Sequence, residues 1–149
     1  MKRIDIISDT HGHLSSDLLS ALAGADLVVH AGDITSERDW ELLSARFEIR
    51  AVMGNNDYCR DYGPQVKKVT RFTFEGLRFV VAHYREDLPL ESADVAICGH
   101  THRPSIARSG GCLLINPGSP TYPRGTSGPT MARMLVGDAK VVSAKIVTL

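Results

Sequence analysis

The chain has 149 residues, 43% of them apolar and 23% charged, a length that fits one domain, 1–149, able to bury its core without disulfide staples. Seventeen Lys and Arg balance seventeen Asp and Glu, so the basic excess of a sequence-independent nucleic-acid binder is missing and strong nucleic-acid binding is not expected. No segment approaches the ~18 consecutive apolar residues of a membrane span, and Cys59, Cys98 and Cys112 form an odd set without CxxC spacing, which reads as reduced thiols in the cytoplasm.

Lys2 and Arg3 precede Asp5 inside a β-branched run, which predicts a first strand rather than a signal peptide. That strand, with Ile4, Ile6 and Ile7, stops at Ser8–Gly12. Leu14, Leu18, Leu19 and Leu22 then recur at helical spacing and Gly24 ends the helix. Asp26–His30 predicts a second strand. Ser36 caps a helix carrying Trp40, Leu43 and Phe47, and Phe47–Met53 predicts a third strand. This β-α-β-α-β alternation is the pattern of helices packed on a parallel sheet. Val66–Phe74 and Leu77–Ala82 read as strands joined by a turn at Glu75-Gly76. Asp94–Cys98 and Cys112–Ile115 are further short apolar runs. Met131–Val136 and Lys140–Val147 form a closing hairpin through Gly137-Asp138. Pro117–Thr130, rich in Pro, Gly, Ser and Thr, is expected as an exposed loop. The whole reads as an α/β domain with mixed sheets.

The polar residues fall just past strand ends. Asp9 follows the first strand, Asp33 the second and Asn55 the third. His83 follows Phe79–Ala82, His100 and His102 follow Val95–Cys98, and Asn116 follows Leu113–Ile115. In α/β sheets ligands bind beyond the carboxyl ends of strands. That edge would collect carboxylates, carboxamides and imidazoles without thiolate, a set suited to Mn, Fe, Co, Ni or Zn. On a turn past a strand end, Asp9 and His11 can both face one ion, and so can His100 and His102.

Asp9-Thr10-His11, Gly32-Asp33, Gly54-Asn55, His83 and Gly99-His100-Thr101-His102, in this order, resemble the calcineurin-like metallophosphoesterase superfamily, and the short length and Asn116-Pro117-Gly118-Ser119 resemble its small prokaryotic phosphodiesterase branch. The resemblance covers about residues 4–120. It implies a four-layer αββα sandwich of two mixed sheets with a dinuclear site. One divalent ion would sit on Asp9, His11, Asp33 and His102. The other would sit on Asp33, Asn55, His83 and His100, with Asp33 bridging and Mn2+ the expected metal. Two such ions against two carboxylates and a bridging hydroxide leave a net positive charge that attracts a phosphoester. The implied reaction is in-line attack by that hydroxide, with Asn55 and the metals stabilising the phosphoryl oxygens.

Two positions depart from the family pattern. Asn56 stands where many members have a histidine that protonates the leaving group, and such an acid is usually worth ~10²–10⁴-fold. Tyr84 stands where the residue after the strand-end histidine is usually glycine. Asp57 reads as fixing its loop or orienting a ligand, His30 as a near-core histidine, His13 as solvent-facing and Trp40 as core. Arg103 and Arg124 are candidates for substrate contact, and Asn116 and Ser119 shape a loop. The expected function is a cytoplasmic metal-dependent phosphodiesterase acting on a small phosphoester, with homo-oligomers left open. A phosphomonoesterase or a non-catalytic scaffold of the same fold is the alternative.

Overall fold

A computed structural model describes residues 1–149. Lys2–Ile7 forms β1, Leu27–His30 β2 and Ile49–Ala51 β3, with helices α1 (Ser16–Leu22) and α2 (Glu37–Arg46) between them. Alternation decides the faces. Ile4 and Ile6 of β1 turn toward the inter-sheet core, while Ile7 packs with Leu18 and Leu22 of α1. Both helices begin on serine. Ser15 Oγ accepts from Leu18 N and Ser36 Oγ from Asp39 N, each at 3.1 Å, which satisfies amides that otherwise lack a partner. Trp40 and Leu43 form the buried side of α2, and Trp40 packs beside Tyr62.

The second half supplies β4 (Val69–Phe74), β5 (Leu77–Ala82), β6 (Val95–Ile97), β7 (Ser105–Ser109), β8 (Cys112–Asn116), β9 (Thr130–Gly137) and β10 (Lys140–Thr148). The first sheet runs β10-β9-β1-β2-β3 and the second β4-β5-β6-β8-β7. Each has three parallel strands, β1, β2 and β3 in one and β5, β6 and β8 in the other, with antiparallel partners beside them. Ile4, Ile6 and Val29 of the first sheet meet Phe79, Val81 and Ile97 of the second in one apolar core. Burying side chains of this size contributes roughly 1.5–3 kcal/mol each.

The mixed two-sheet α/β architecture matches the expectation, with one asymmetry. α1 and α2 cover the first sheet. The outer face of the second is covered by residues 84–93, which hold only two single-turn 3-10 helices, Arg85–Asp87 and Leu90–Ser92. Leu88 and Ala93 of that cover pack on Val80, Ala96, Cys98 and Leu114.

Four local expectations change. β7 was not foreseen, because Ser-Ile-Ala-Arg-Ser on a sheet edge buries little. β3 shrinks to three residues, since Phe47 closes α2 and Val52 makes only an isolated bridge with Lys67. The strand expected from Val66 starts at Val69. Pro117, Gly118 and Ser119 are buried rather than exposed, because Ser119 ties down the loop after β1. No helix is long and apolar enough to cross a membrane.

Candidate metal centre

The carboxyl ends of the parallel strands of both sheets meet, and the seven candidate ligands converge there. The loops after β1 and β2 run together, with Asp9 N donating to Gly32 O and His11 N to Asp33 O. Five of the seven candidates, Asp9, His11, Asp33, His100 and His102, have φ between 49° and 71°. A non-glycine residue in this left-handed region costs of order 1–2 kcal/mol, although Asp and His are enriched there. Such conformations persist where the surroundings enforce them. Glycines allow the close approach. A Cβ on Gly54 would overlap Asp33 Oδ1, and one on Gly99 would overlap Ser8 Oγ.

The side chains form two adjoining groups. In the first, His102 Nε2 lies 3.3 Å from Asp9 Oδ1 and 3.4 Å from His11 Nε2, and His11 Nε2 lies 3.6 Å from Asp33 Oδ2. In the second, Asn55 Oδ1 lies 3.0 Å from His83 Nε2 and 3.3 Å from His100 Nδ1. His83 Nε2 is 3.4 Å from Asp33 Oδ2, so Asp33 reaches both groups. Asp9 Oδ1 also faces His83 Nε2 at 3.8 Å, a proximity the sequence did not signal. Asp9, Asp33, His83 and His102 are buried, whereas Asn55 and His100 are exposed.

Surrounding groups fix these orientations. His83 Nδ1 donates to Ala31 O and His102 Nδ1 to Tyr122 O, both at 2.7 Å. In the neutral rings this leaves each Nε2 as a lone pair aimed inward. Asp9 Oδ2 accepts from Ser8 Oγ and His100 N, while buried Asp9 Oδ1 has no hydrogen-bond partner. Asn56 donates to both oxygens of Asp33, through its backbone N and its amide, each at 2.9 Å. With His83 and His102 neutral, their Nε2 lone pairs face the carboxylate oxygens of Asp9 and Asp33 without a shared proton. That arrangement needs a cation or extra protons, and its oxygen and nitrogen donors fit a divalent transition metal.

The charge balance shows the same need. Burial pushes the Asp9 carboxyl up, against the opposing pull of His83, Ser8 and His102. Burial also works to raise Asp33, but a protonated His83 beside it and the hydrogen bonds from Asn56 outweigh it and hold that carboxyl well below the usual range. Burial likewise opposes the charged His83 ring, yet Asp33, Asp9 and the Ala31 carbonyl prevail and raise its pKa.

Other singled-out residues support rather than face the centre. Buried Asp57 accepts from Asp33 N, Thr35 N, Gly54 N and Tyr62 Oη at 2.8 Å each, and from Ile34 N at 3.4 Å. It thereby joins the loops after β2 and β3. His30 Nδ1 accepts from Gly32 N, and its Nε2 lies 2.9 Å from Thr10 Oγ1. Ser119 Oγ donates to Asp9 O, and Asn116 Nδ2 to Gly99 O. Tyr84 adopts φ −94° and ψ 136°, an extended conformation that asks for no glycine, and its ring packs 4.5 Å from that of His100. His13, Arg103 and Arg124 are exposed. The Tyr122 carbonyl that orients His102 was missed, because a backbone acceptor leaves no residue-type signal.

Comparison with known proteins gives the family and the fold. The calcineurin-like phosphoesterase superfamily domain matches residues 1–139. A protein of Methanothermobacter thermautotrophicus named "Probable metallophosphoesterase" is 35% identical, over 93% of this chain and 91% of its own length. A solved structure described as a novel archaeal phosphodiesterase is 25% identical with TM-score 0.75, covering 97% of this chain and 99% of that one. Vacuolar Protein Sorting 29 from Cryptosporidium parvum shares the fold at TM-score 0.77 and 20% identity, covering 99% and 98% of the two chains.

Proposed function

Since the chain belongs to the calcineurin-like phosphoesterase superfamily, we propose that it is a divalent-metal-dependent hydrolase of phosphodiesters. The observation that carries this reading is the convergence of Asp9 Oδ1, which has no hydrogen-bond partner, and Asp33 Oδ2 with the Nε2 atoms of His11, His83 and His102. Asp9, His11, Asp33 and His102 hold one cation, and Asp33, Asn55, His83 and His100 the other. The two cations, Mn2+ in this reading, supply Lewis acidity and make hydroxide available near neutral pH. Asn55 is exposed and neutral, so its amide can orient a phosphoryl oxygen without cancelling the positive field that attracts the anion. Asp33 joins the two halves, and Asn56 holds it in place through both carboxylate oxygens.

Two points favour diesters. The archaeal relative at 25% identity is described as a phosphodiesterase. Asn56 has no titratable proton and its amide is engaged with Asp33, so esters with acidic leaving groups suit this site best. The test is elemental analysis of the purified protein, with turnover of a diester and a monoester sharing one leaving group, in added Mn2+. Two metals per chain and faster diester turnover are expected. A metal-free protein without turnover in any added divalent ion would refute the reading, and faster monoester turnover would reverse the substrate class.

A further inference from the structure

The thin cover of the second sheet leaves a cavity of about 260 Å³ that opens against His100. Its floor is apolar and comes from Cys98 after β6, Ala107 of β7 and Leu114 of β8. The cavity is also lined by Tyr84, whose ring packs on His100, and by Arg85, Glu86 and Ser105. The side chains of Arg85 and Ser105 take no part in hydrogen bonds or ion pairs within the chain. The volume is that of about nine water molecules and lies below the about 300–1,000 Å³ of a pocket enclosing a whole drug-sized ligand. It suits one portion of a substrate rather than all of it.

His100 belongs at once to this cavity and to the second ligand group, where its Nδ1 faces Asn55 Oδ1. A phosphoester held at Asn55 and His100 therefore has the cavity as neighbouring space for one of its substituents. An apolar floor and an aromatic wall favour a flat ring. The free Arg85 and Ser105 groups add hydrogen-bond donors, and the Glu86 carboxylate an acceptor, for a ring with polar edges of both kinds.

We propose that this cavity is the subsite for an aromatic ester group of the substrate, of nucleobase size, so that the natural substrate is a phosphodiester with a nucleoside on one side of phosphorus. This rests on the phosphodiesterase reading above.

The test uses p-nitrophenyl phosphodiesters whose second ester group is methyl, phenyl or thymidin-5′-yl, assayed with Mn2+. A base stacked on an aromatic side chain is recognised without sequence preference. The thymidinyl ester is expected to exceed the methyl ester in kcat/KM by about tenfold or more, mainly through KM, with the phenyl ester between them. Ala107→Leu, which fills the floor, should bring that ratio close to one. Binding is read separately on the metal-free protein as amide NMR shifts with thymidine 5′-monophosphate and with methyl phosphate. Shifts at Cys98, Ala107 and Leu114 with the nucleotide alone are expected. Turnover with no ring preference and no such shifts overturns the subsite and leaves the hydrolase standing. Ring-dependent shifts without turnover of any diester support the subsite and overturn the hydrolase. A preference that survives Ala107→Leu assigns the ring elsewhere and overturns the subsite.

Discussion

Asp5 and Asp9 lie four residues apart, on β1 and just past its end, and neither is exposed to solvent, yet their charges are met in opposite ways. Asp5 receives Arg133 through Nε at 2.8 Å and Nη2 at 3.1 Å, and Arg3 through Nη2 at 2.9 Å. Those two guanidinium groups also donate to the Ala21, Leu22 and Ala23 carbonyls at the end of α1, where cations are favourable. Asp9 has no Arg or Lys partner. One oxygen takes a serine and a backbone amide, and the other faces only imidazoles. A buried carboxylate without compensation is costly. In the proposed function a bound divalent cation, rather than an arginine, balances the carboxylate at this end.

The sharpest way to break this comparison is at the residue both groups share. Asp33→Asn is expected to lose one or both metals and to lower diester turnover by more than about 10³-fold, read by elemental analysis and steady-state kinetics. Near-wild-type turnover would contradict the bridging role. The paired substitutions come next. Asp5→Asn should cost about 1–3 kcal/mol in urea unfolding, because two partly exposed guanidinium groups lose the carboxylate they share, while metal content stays unchanged. Asp9→Asn should do the reverse, losing metal while the metal-free protein keeps or gains stability. Equal destabilisation by both would show the two carboxylates to be alike.

His30 extends the comparison to a buried base that stays neutral. Burial lowers its pKa to about 4 from the usual 6.5, against opposing help from Asp57. Between those values the unfolded chain binds the extra proton and the folded one does not, so stability falls as the pH drops from about 6.5 to about 4. The loss from this group is about 3 kcal/mol. Urea unfolding of the metal-free protein across that range should show it, and His30→Asn should flatten that part of the profile. The smallest expected effect is at Asn56. Asn56→His should raise turnover of esters with poor leaving groups by about tenfold more than those with good ones. That is less than a fully positioned acid supplies, since the variant also loses the amide bond to Asp33. Equal effects on both would count against a missing proton donor.

Much of this was legible in the chain because strand ends carry a residue-type signal. Asp9, Asp33, Asn55, His83, His100 and His102 each follow a short apolar run, and in parallel strands those ends fall on one edge. The β1-α1-β2-α2-β3 order likewise follows from period and capping serines. What stayed hidden depended on long-range backbone. The left-handed φ of five candidate ligands, the Tyr122 carbonyl on His102 and the burial of Pro117–Ser119 arise from loops meeting across sequence separations that no local pattern encodes. β7 escaped because an edge strand needs neither alternation nor burial. The cavity beside His100 exists because residues 84–93 form 3-10 turns rather than a helix, which depends on packing over the second sheet.

The most direct measurement is anomalous diffraction at the manganese edge from crystals soaked in Mn2+. Two peaks flanking Asp33 are expected, one among Asp9, His11 and His102 and the other among Asn55, His83 and His100. A single peak away from Asp33, or none, would contradict the claim that these side chains are arranged to hold a pair of cations.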